Sequence, residues 1–111
     1  MAIATPKNDQ IFVFGGHSSP QVRLNDTWLL TVNGLTWRRA EGEVAATPKN
    51  QDSHTGGPGP RANAAATLHN GKIYLFGGHG GVNYQRVAFS DLFCFDLETQ
   101  HWEKLEAGNP L

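Results

Sequence analysis

Two similar stretches of the chain end in a pair of glycines and a histidine: IFVFGGH at residues 11–17 and IYLFGGH at residues 73–79. A glycine-rich turn after a strand can hold phosphate, and histidines at matching positions can hold a metal. The phosphate interpretation lacks its context, because the run from Gly77 to Gly81 is followed neither by Gly-Lys-Ser/Thr nor by a helical pattern. We therefore predict that each glycine pair ends a strand and makes a turn.

The histidines show no metal-binding pattern. No two have the i, i+4 spacing of a helical zinc site, and Cys-x-x-Cys is absent because Cys94 is the single cysteine. His17 and His79 occupy equivalent positions in the two similar stretches. If these stretches belonged to repeated units arranged in a ring, both side chains could face the same opening of the ring and share a metal or an anion. The alternative is that both are exposed loop side chains, and we predict no metal and no cofactor. The five histidines are His17, His54, His69, His79 and His101.

Nucleophilic catalysis has equally little support. Cys94 alternates with aromatic residues in DLFCFD and is expected to be a small core residue. No Gly-x-Ser-x-Gly sequence is present. Asp26 and Asp91 could form a pair of acids, but aspartates at such positions more often accept hydrogen bonds from backbone N–H groups. We predict that the chain is not an enzyme and has no catalytic residue.

Bulk properties exclude several partners. The chain has 111 residues and a formal net charge of −1, so no electrostatic argument favours nucleic acid or an anionic membrane. No apolar run approaches the roughly 20 residues of a membrane helix. The first ten residues lack the pattern of a secretory signal, and one cysteine cannot form an internal disulfide. We predict a cytoplasmic protein that binds neither nucleic acid nor membrane.

The two glycine-pair stretches belong to a longer repeat. Residues around the first glycine pair recur 62 positions later, whereas residues further along the unit recur at an offset of 65. A loop can absorb this difference in length, and a packed strand cannot. Two copies of one structural unit explain the pattern. The matches are Phe14-Gly15-Gly16 with Phe76-Gly77-Gly78, and Asp26, Trp28 and Trp37 with Asp91, Phe93 and Trp102.

Each unit contains four short runs of β-branched and aromatic residues separated by turn signals, and none has a convincing helical period. Asn70-Gly71, for example, is a strong signal for a two-residue hairpin. The stretch from residue 42 to residue 60 is rich in Gly, Pro, Thr and Asn, and it predicts an irregular surface loop. The predicted strands are Met1–Thr5, Gln10–Phe14, Thr27–Val32 and Thr36–Arg39, then 62–69, 72–76, 91–96 and 101–105.

This ordered set resembles a kelch repeat: an aliphatic or aromatic run, Phe-Gly-Gly, a variable loop, Asp, an aromatic two residues later, and Trp about eleven residues after the Asp. Both units carry it, and Pro-Gly-Pro-Arg61 before the second unit also fits. The resemblance covers nearly the whole chain. The motif residues are Gly15, Gly16, Asp26, Trp28, Trp37, Arg61, Gly77, Gly78, Asp91, Phe93 and Trp102.

The resemblance implies an all-β fold of two four-stranded antiparallel blades of a β-propeller. A propeller has about 4 to 8 blades, so the single chain is expected to be incomplete. Either it is a segment of a longer propeller or identical chains complete a ring. Trp37 and Trp102 are expected to fill the spaces between adjacent blades. The predicted division is a first repeat at 1–43, an inter-blade loop at 44–60, a second repeat at 61–108 and a tail at 109–111.

The long loops should lie on one face of the blades. They are residues 17–25, 42–60 and 79–90, and loops mounted on a rigid scaffold often carry binding residues. We predict a non-catalytic protein-interaction module with a protein partner. The alternatives are a building block that self-associates to complete a ring, and part of a propeller enzyme with a loop metal or small-molecule site. The predicted partner-binding residues are Arg23, Tyr84, Arg86, His17 and His79.

Overall fold

A computed structural model describes residues 1–6, 9–41, 57–81 and 86–106, which form two four-stranded antiparallel sheets. Blade 1 contains β1 (Ala2–Thr5), β2 (Gln10–Ser19), β3 (Val22–Thr31) and β4 (Thr36–Glu41), paired in chain order. Blade 2 contains β5 (Ala65–His69), β6 (Lys72–Phe76), β9 (Leu92–Asp96) and β10 (His101–Leu105), also as a meander. A two-stranded pair, β7 (His79–Gly80) and β8 (Val87–Ala88), lies between β6 and β9 in sequence. The predicted all-β class and antiparallel pairing are confirmed.

The core lies between the two sheets. Successive residues of a strand point to opposite faces, so Phe12 and Phe14 of β2 are fully buried while their neighbours are only partly covered. Trp102 of β10 is 6% exposed and packs its ring on those of four phenylalanines, at centroid distances from 5.1 to 6.3 Å. The four are Phe12, Phe14, Phe93 and Phe95. Each buried aromatic contributes about 1.5–3 kcal/mol, and neither sheet covers these side chains alone.

Hydrogen bonds fix how the blades meet along this boundary, which we call the seam. The Trp102 Nε1–H donates to Thr27 Oγ1 at 3.0 Å, and the Asn25 amide donates to the Pro58 carbonyl at 3.1 Å. Residues 57–60 are buried in the seam. The prediction of a surface loop is therefore wrong for residues 57–60, because their carbonyls and small side chains fill the gap between the two sheets. Residues 42–56, and with them the boundary at 43–44, lie outside the described residues, as does the tail.

The predicted loop at residues 17–25 is also wrong. β2 and β3 continue to Ser19 and Val22, which leaves a two-residue turn at Pro20 and Gln21. The glycine pair does not end the first strand; instead, the register shifts between Phe14 and Gly16, as in a β-bulge. Gly15 and Gly16 supply the positive φ angles of +62° and +100° that such a bulge requires.

In blade 2 the glycine pair does end its strand. β6 stops at Phe76, and Gly77 and Gly78 follow with φ angles of +70° and +87°. The chain then returns as β7, whose His79 forms an isolated antiparallel bridge with Ala62. The predicted loop at residues 79–90 therefore contains a short strand pair, although residues 82–85 lie outside the described residues. The two units share one strand plan but differ in how far this pair extends beyond the glycines.

Candidate functional site

Arg61 lies at the centre of the seam with 1% of its surface exposed. Its backbone joins it to blade 1: the Arg61 N–H donates to the Leu24 carbonyl at 3.1 Å, and the Gly16 N–H donates to the Arg61 carbonyl at 3.0 Å. The side chain belongs to blade 2, where Nε donates to the Gly59 carbonyl and Nη1 to the Gly77 carbonyl, both at 3.1 Å. Arg61 therefore connects the two blades and is not available to an outside partner.

Asp91 neutralises this buried guanidinium. Two parallel hydrogen bonds join the groups, Nη1 to Oδ1 at 2.6 Å and Nη2 to Oδ2 at 3.1 Å, which is the strong bidentate geometry. The guanidinium also lies over the Phe89 ring, 4.1 Å from its centroid. From its position in the repeat, Asp91 was expected to accept from backbone N–H groups, but its partner is the Arg61 side chain instead.

Asp26, the repeat equivalent of Asp91, makes a different bond. Its Oδ2 accepts from the Trp28 Nε1–H at 2.6 Å. The two aspartates are therefore engaged separately, with an arginine in one unit and a tryptophan in the other, and they do not form a pair of acids. Trp28 also packs edge-on against Trp37 at 6.3 Å, and Trp37 keeps 53% of its surface exposed.

Three basic or titratable side chains meet where the β2–β3 hairpin of blade 1 approaches the β7–β8 pair of blade 2, and a fourth, Arg86, adds its charge. His17 and Arg23 are cross-strand partners, and the His17 ring lies 5.8 Å from the His79 ring. Buried Arg23 reaches across the seam and donates to the Gly81 carbonyl at 3.3 Å. Arg86, exposed immediately before β8, acts electrostatically on His79. We call these residues the seam cluster: His17, Arg23, His79 and Arg86.

The structure places the rings of His17 and His79 side by side, and Arg86 is exposed. The expected position of Arg23 on an exposed loop is wrong, because Arg23 is buried in β3. The roles of these residues in partner binding stay predictions. Tyr84 lies outside the described residues. Sequence reasoning missed Asn63, whose amide nitrogen lies 3.0 Å from His79 Nε2. No local motif marks Asn63; the bridge between Ala62 and His79 brings it there.

The seam cluster has a positive electrostatic character. The pKa of His79 is lowered, first because burial disfavours the charged ring and then because Arg86, Arg23 and His17 repel a further positive charge. Asp91, which follows β8 in the chain, is already engaged by Arg61. An anionic group placed here would be attracted by the arginines and would favour protonation of His79.

Acidification is expected to lower the stability of the fold through His79. Because folding depresses the pKa of His79, the unfolded chain takes up a proton first as the pH falls through the ordinary histidine pKa of about 6.5. The contribution of neutral His79 to the free energy of unfolding is therefore fully present above that pH. It decreases as the pH falls through about 6.5, and it stops decreasing once His79 is protonated in the folded state as well. Urea unfolding at several pH values measures this effect.

The matched control for this prediction is a histidine outside the seam. His79→Gln should flatten the decrease in stability between about pH 7.5 and pH 5.5, whereas His101→Gln, at an exposed position of β10, should leave it in place. Equal flattening by both substitutions would contradict the assignment to His79.

The described residues contain no group of three or more His, Cys, Asp or Glu side chains arranged to hold a metal ion. Cys94 is buried in β9, and burial raises the pKa of its thiol. A thiol with a raised pKa is poorly suited to act as a nucleophile. Within the part of the chain that the structure describes, no helix is long and apolar enough to cross a membrane.

Comparison with known proteins gives a family match over almost the entire chain. A family model described as the KLHDC2/KLHL20/DRC7 Kelch-repeats domain matches residues 1–110. Similar curated proteins include tip elongation aberrant protein 3 of Schizosaccharomyces pombe, 29% identical over 90% of this chain and 10% of its own length. Dynein regulatory complex subunit 7 of Chlamydomonas reinhardtii is 36% identical over 66% of this chain and 5% of its own. Host cell factor 1 of Homo sapiens is 29% identical over 89% of this chain and also 5% of its own. The chain thus spans a tenth or less of each of these three relatives.

Proposed function

The chain belongs to the kelch-repeat family, and we propose that it acts as a non-catalytic protein-interaction module whose contact surface is the exposed part of the seam cluster, His17 and Arg86 beside His79. The observation that carries this proposal is the meeting of His17 and Arg23 from blade 1 with His79 and Arg86 from blade 2. A relative named as a subunit of the dynein regulatory complex supports an assembly role for such repeats. A cytoplasmic location stays a prediction from the sequence.

The chemistry of the seam cluster favours an acidic segment of a protein partner. Arginine binds carboxylates through directed hydrogen bonds, and an exposed guanidinium such as that of Arg86 pays less desolvation than a buried one. His79 adds a ring whose protonation a nearby carboxylate would favour. Tyr84, two residues before Arg86, remains a proposed contact.

Removing two exposed members of the seam cluster is expected to weaken binding of an acidic peptide. In the variant carrying His17→Ala and Arg86→Ala, the dissociation constant for a labelled peptide of alternating Glu and Gly should rise about tenfold, because about 1.4 kcal/mol of charge-assisted hydrogen bonding is lost. The thermal midpoint should be unchanged, since both side chains are exposed. Fluorescence anisotropy gives the dissociation constant.

The matched control replaces one arginine and one histidine elsewhere on the surface. Arg38→Ala with His101→Ala removes the same charges from exposed positions of β4 and β10 and should leave binding unchanged. A peptide of alternating Lys and Gly should bind weakly to every variant. Equal loss in both double variants, or equal affinity for the acidic and basic peptides, would contradict the proposal.

A further inference from the structure

Blade 1 has an apolar face that nothing in the described residues covers. The ladder registers place seven apolar side chains on the side of the sheet opposite Phe12 and Phe14: Ala2 and the six that define the surface named below. Trp37, at the outer strand of this face, is 53% exposed. We call this surface the open face of blade 1: Ala4, Ile11, Val13, Trp28, Leu30 and Trp37.

In blade 2 the residues equivalent to the open face are already buried against blade 1. At the repeat offsets of 62 and 65, the open face corresponds to the side of blade 2 that packs on blade 1 to make the core. The corresponding residues are Ala66, Ile73, Leu75, Phe93, Phe95 and Trp102.

The exposed tryptophan already has the geometry of the docked one. Trp37 meets Trp28 edge-on at 6.3 Å and 90°, and Trp102 meets Phe93 edge-on at 6.3 Å and 87°. Trp37 is therefore held by its own sheet as Trp102 is when it rests on blade 1. The open face of blade 1 therefore has the side-chain arrangement needed to dock on a surface like the one on which Trp102 packs in blade 1. We call a surface of this second type a receiving surface.

Such a receiving surface is present on the far side of blade 2. Trp102 rests on Phe12 and Phe14, and the repeat offset of 62 places Tyr74 and Phe76 at the equivalent positions. Phe76 is 44% exposed. We propose that the open face of blade 1 binds the Tyr74–Phe76 face of a second copy of this chain, head to tail. This proposal does not depend on the seam cluster.

The two surfaces carry one pair of opposite charges, while Lys72 and Asp96, which are cross-strand partners, offset each other on the receiving face. Arg39 is paired with Trp28 in the β3–β4 ladder, so it borders the open face of blade 1. Glu103 is paired with Cys94, whose neighbour across the sheet is Tyr74, so it borders the receiving face of blade 2. Complementary charges favour this orientation over the reverse one.

A head-to-tail contact uses two different surfaces, so it closes into a ring when the rotation between copies allows it. Three chains with two blades each give six blades, within the range of about 4 to 8 seen in propellers. The hydrogen bonds of the seam are not reproduced in this contact: Leu92 stands at the repeat equivalent of Thr27 and cannot accept from the Trp37 indole, and Ser90 stands at that of Asn25. We therefore expect assembly to depend on protein concentration.

The test is the oligomeric state of the full chain by native mass spectrometry and light scattering. The unmodified chain should form a trimer as its concentration rises. Trp37→Glu and Phe76→Glu should each abolish trimers, since each places a charge in the contact. Leu35→Glu is the matched control, because Leu35 is 72% exposed in the β3–β4 turn and lies outside both faces.

Mixing the two variants gives a decisive outcome. The Phe76→Glu chain keeps its Trp37 face and the Trp37→Glu chain keeps its Phe76 face, so an equimolar mixture should form a dimer and nothing larger. Charge reversal provides a second test that preserves the aromatic residues: Arg39→Glu should reduce the trimer fraction, and adding Glu103→Arg in the same chain should restore it. A monomer at every concentration, or a mixture of variants without the dimer, would overturn the proposal.

Discussion

Asp91→Asn is expected to lower the free energy of unfolding by about 3–5 kcal/mol, the cost of leaving one partner of a buried ion pair uncompensated. The Arg61 side chain is fully buried, and Asp91 supplies its bidentate negative partner. An asparagine presents one oxygen and no charge, so the guanidinium would lose its bidentate charged partner while its bonds to the Gly59 and Gly77 carbonyls remain. Urea denaturation followed by tryptophan fluorescence measures the change.

The repeat offers a matched control. Asp26→Asn makes the same chemical change at the equivalent position of blade 1, where the carboxylate accepts from Trp28 and meets no arginine in the described residues. Its cost should stay near the ~1 kcal/mol of an ordinary hydrogen bond. If Asp91→Asn does not fold, the double variant Arg61→Met with Asp91→Leu tests the same point, because removing both charges should recover stability. Equal costs for the two asparagine variants would contradict the role assigned to the ion pair.

Gly15→Ala is expected to lower the free energy of unfolding by about 2–5 kcal/mol, the sum of left-handed backbone strain and overpacking against main chain. Gly15 has a φ of +62°, and an added Cβ would lie 2.7 Å from the Arg61 carbonyl oxygen and 2.9 Å from that of Leu24. Neither carbonyl can move freely, because both take part in the hydrogen bonds that join Arg61 to blade 1.

Gly16 separates the two contributions to this cost. It has a φ of +100°, but an added Cβ would meet nothing within 4 Å. Gly16→Ala therefore carries backbone strain alone and should cost about 1–2 kcal/mol. Chemical denaturation of the two variants side by side gives the difference, and a Gly16→Ala variant as unstable as Gly15→Ala would show that backbone strain, not the close approach at the seam, decides the role of Gly15.

The repeat made most of the fold predictable. Strand patterns in both units gave the four-stranded meander, and the confirmed strands differ from the predicted ones mainly at their ends. The largest error was at residues 17–25, where the change in repeat offset from 62 to 65 suggested a loop. Those residues continue as β2 and β3 because a glycine bulge keeps the two strands paired beyond Phe14. The pattern of apolar residues does not report a bulge of this kind.

The candidate site was predictable only in part. His17 and His79 were linked by their equivalent positions in the repeat, and the structure brings their rings to 5.8 Å. Arg23 was expected on an exposed loop, whereas it is 3% exposed and reaches the other blade. Its burial follows from the extension of the hairpin, which places it beside the seam. Asn63 had no sequence signal because a long-range bridge positions it.

By itself the sequence determined the two repeats, their strands and the family, because strand alternation and motif spacing are local properties of the chain. Tertiary structure decided the partners. Asp91 meets Arg61 across 30 residues and Trp102 meets Thr27 across 75. It also decided which face of each sheet is buried, since the two faces of β2 are both apolar in sequence and only the docking of blade 2 covers one of them. Because both faces of β2 are apolar, the sequence of a single unit could not show that one face of blade 1 is left uncovered.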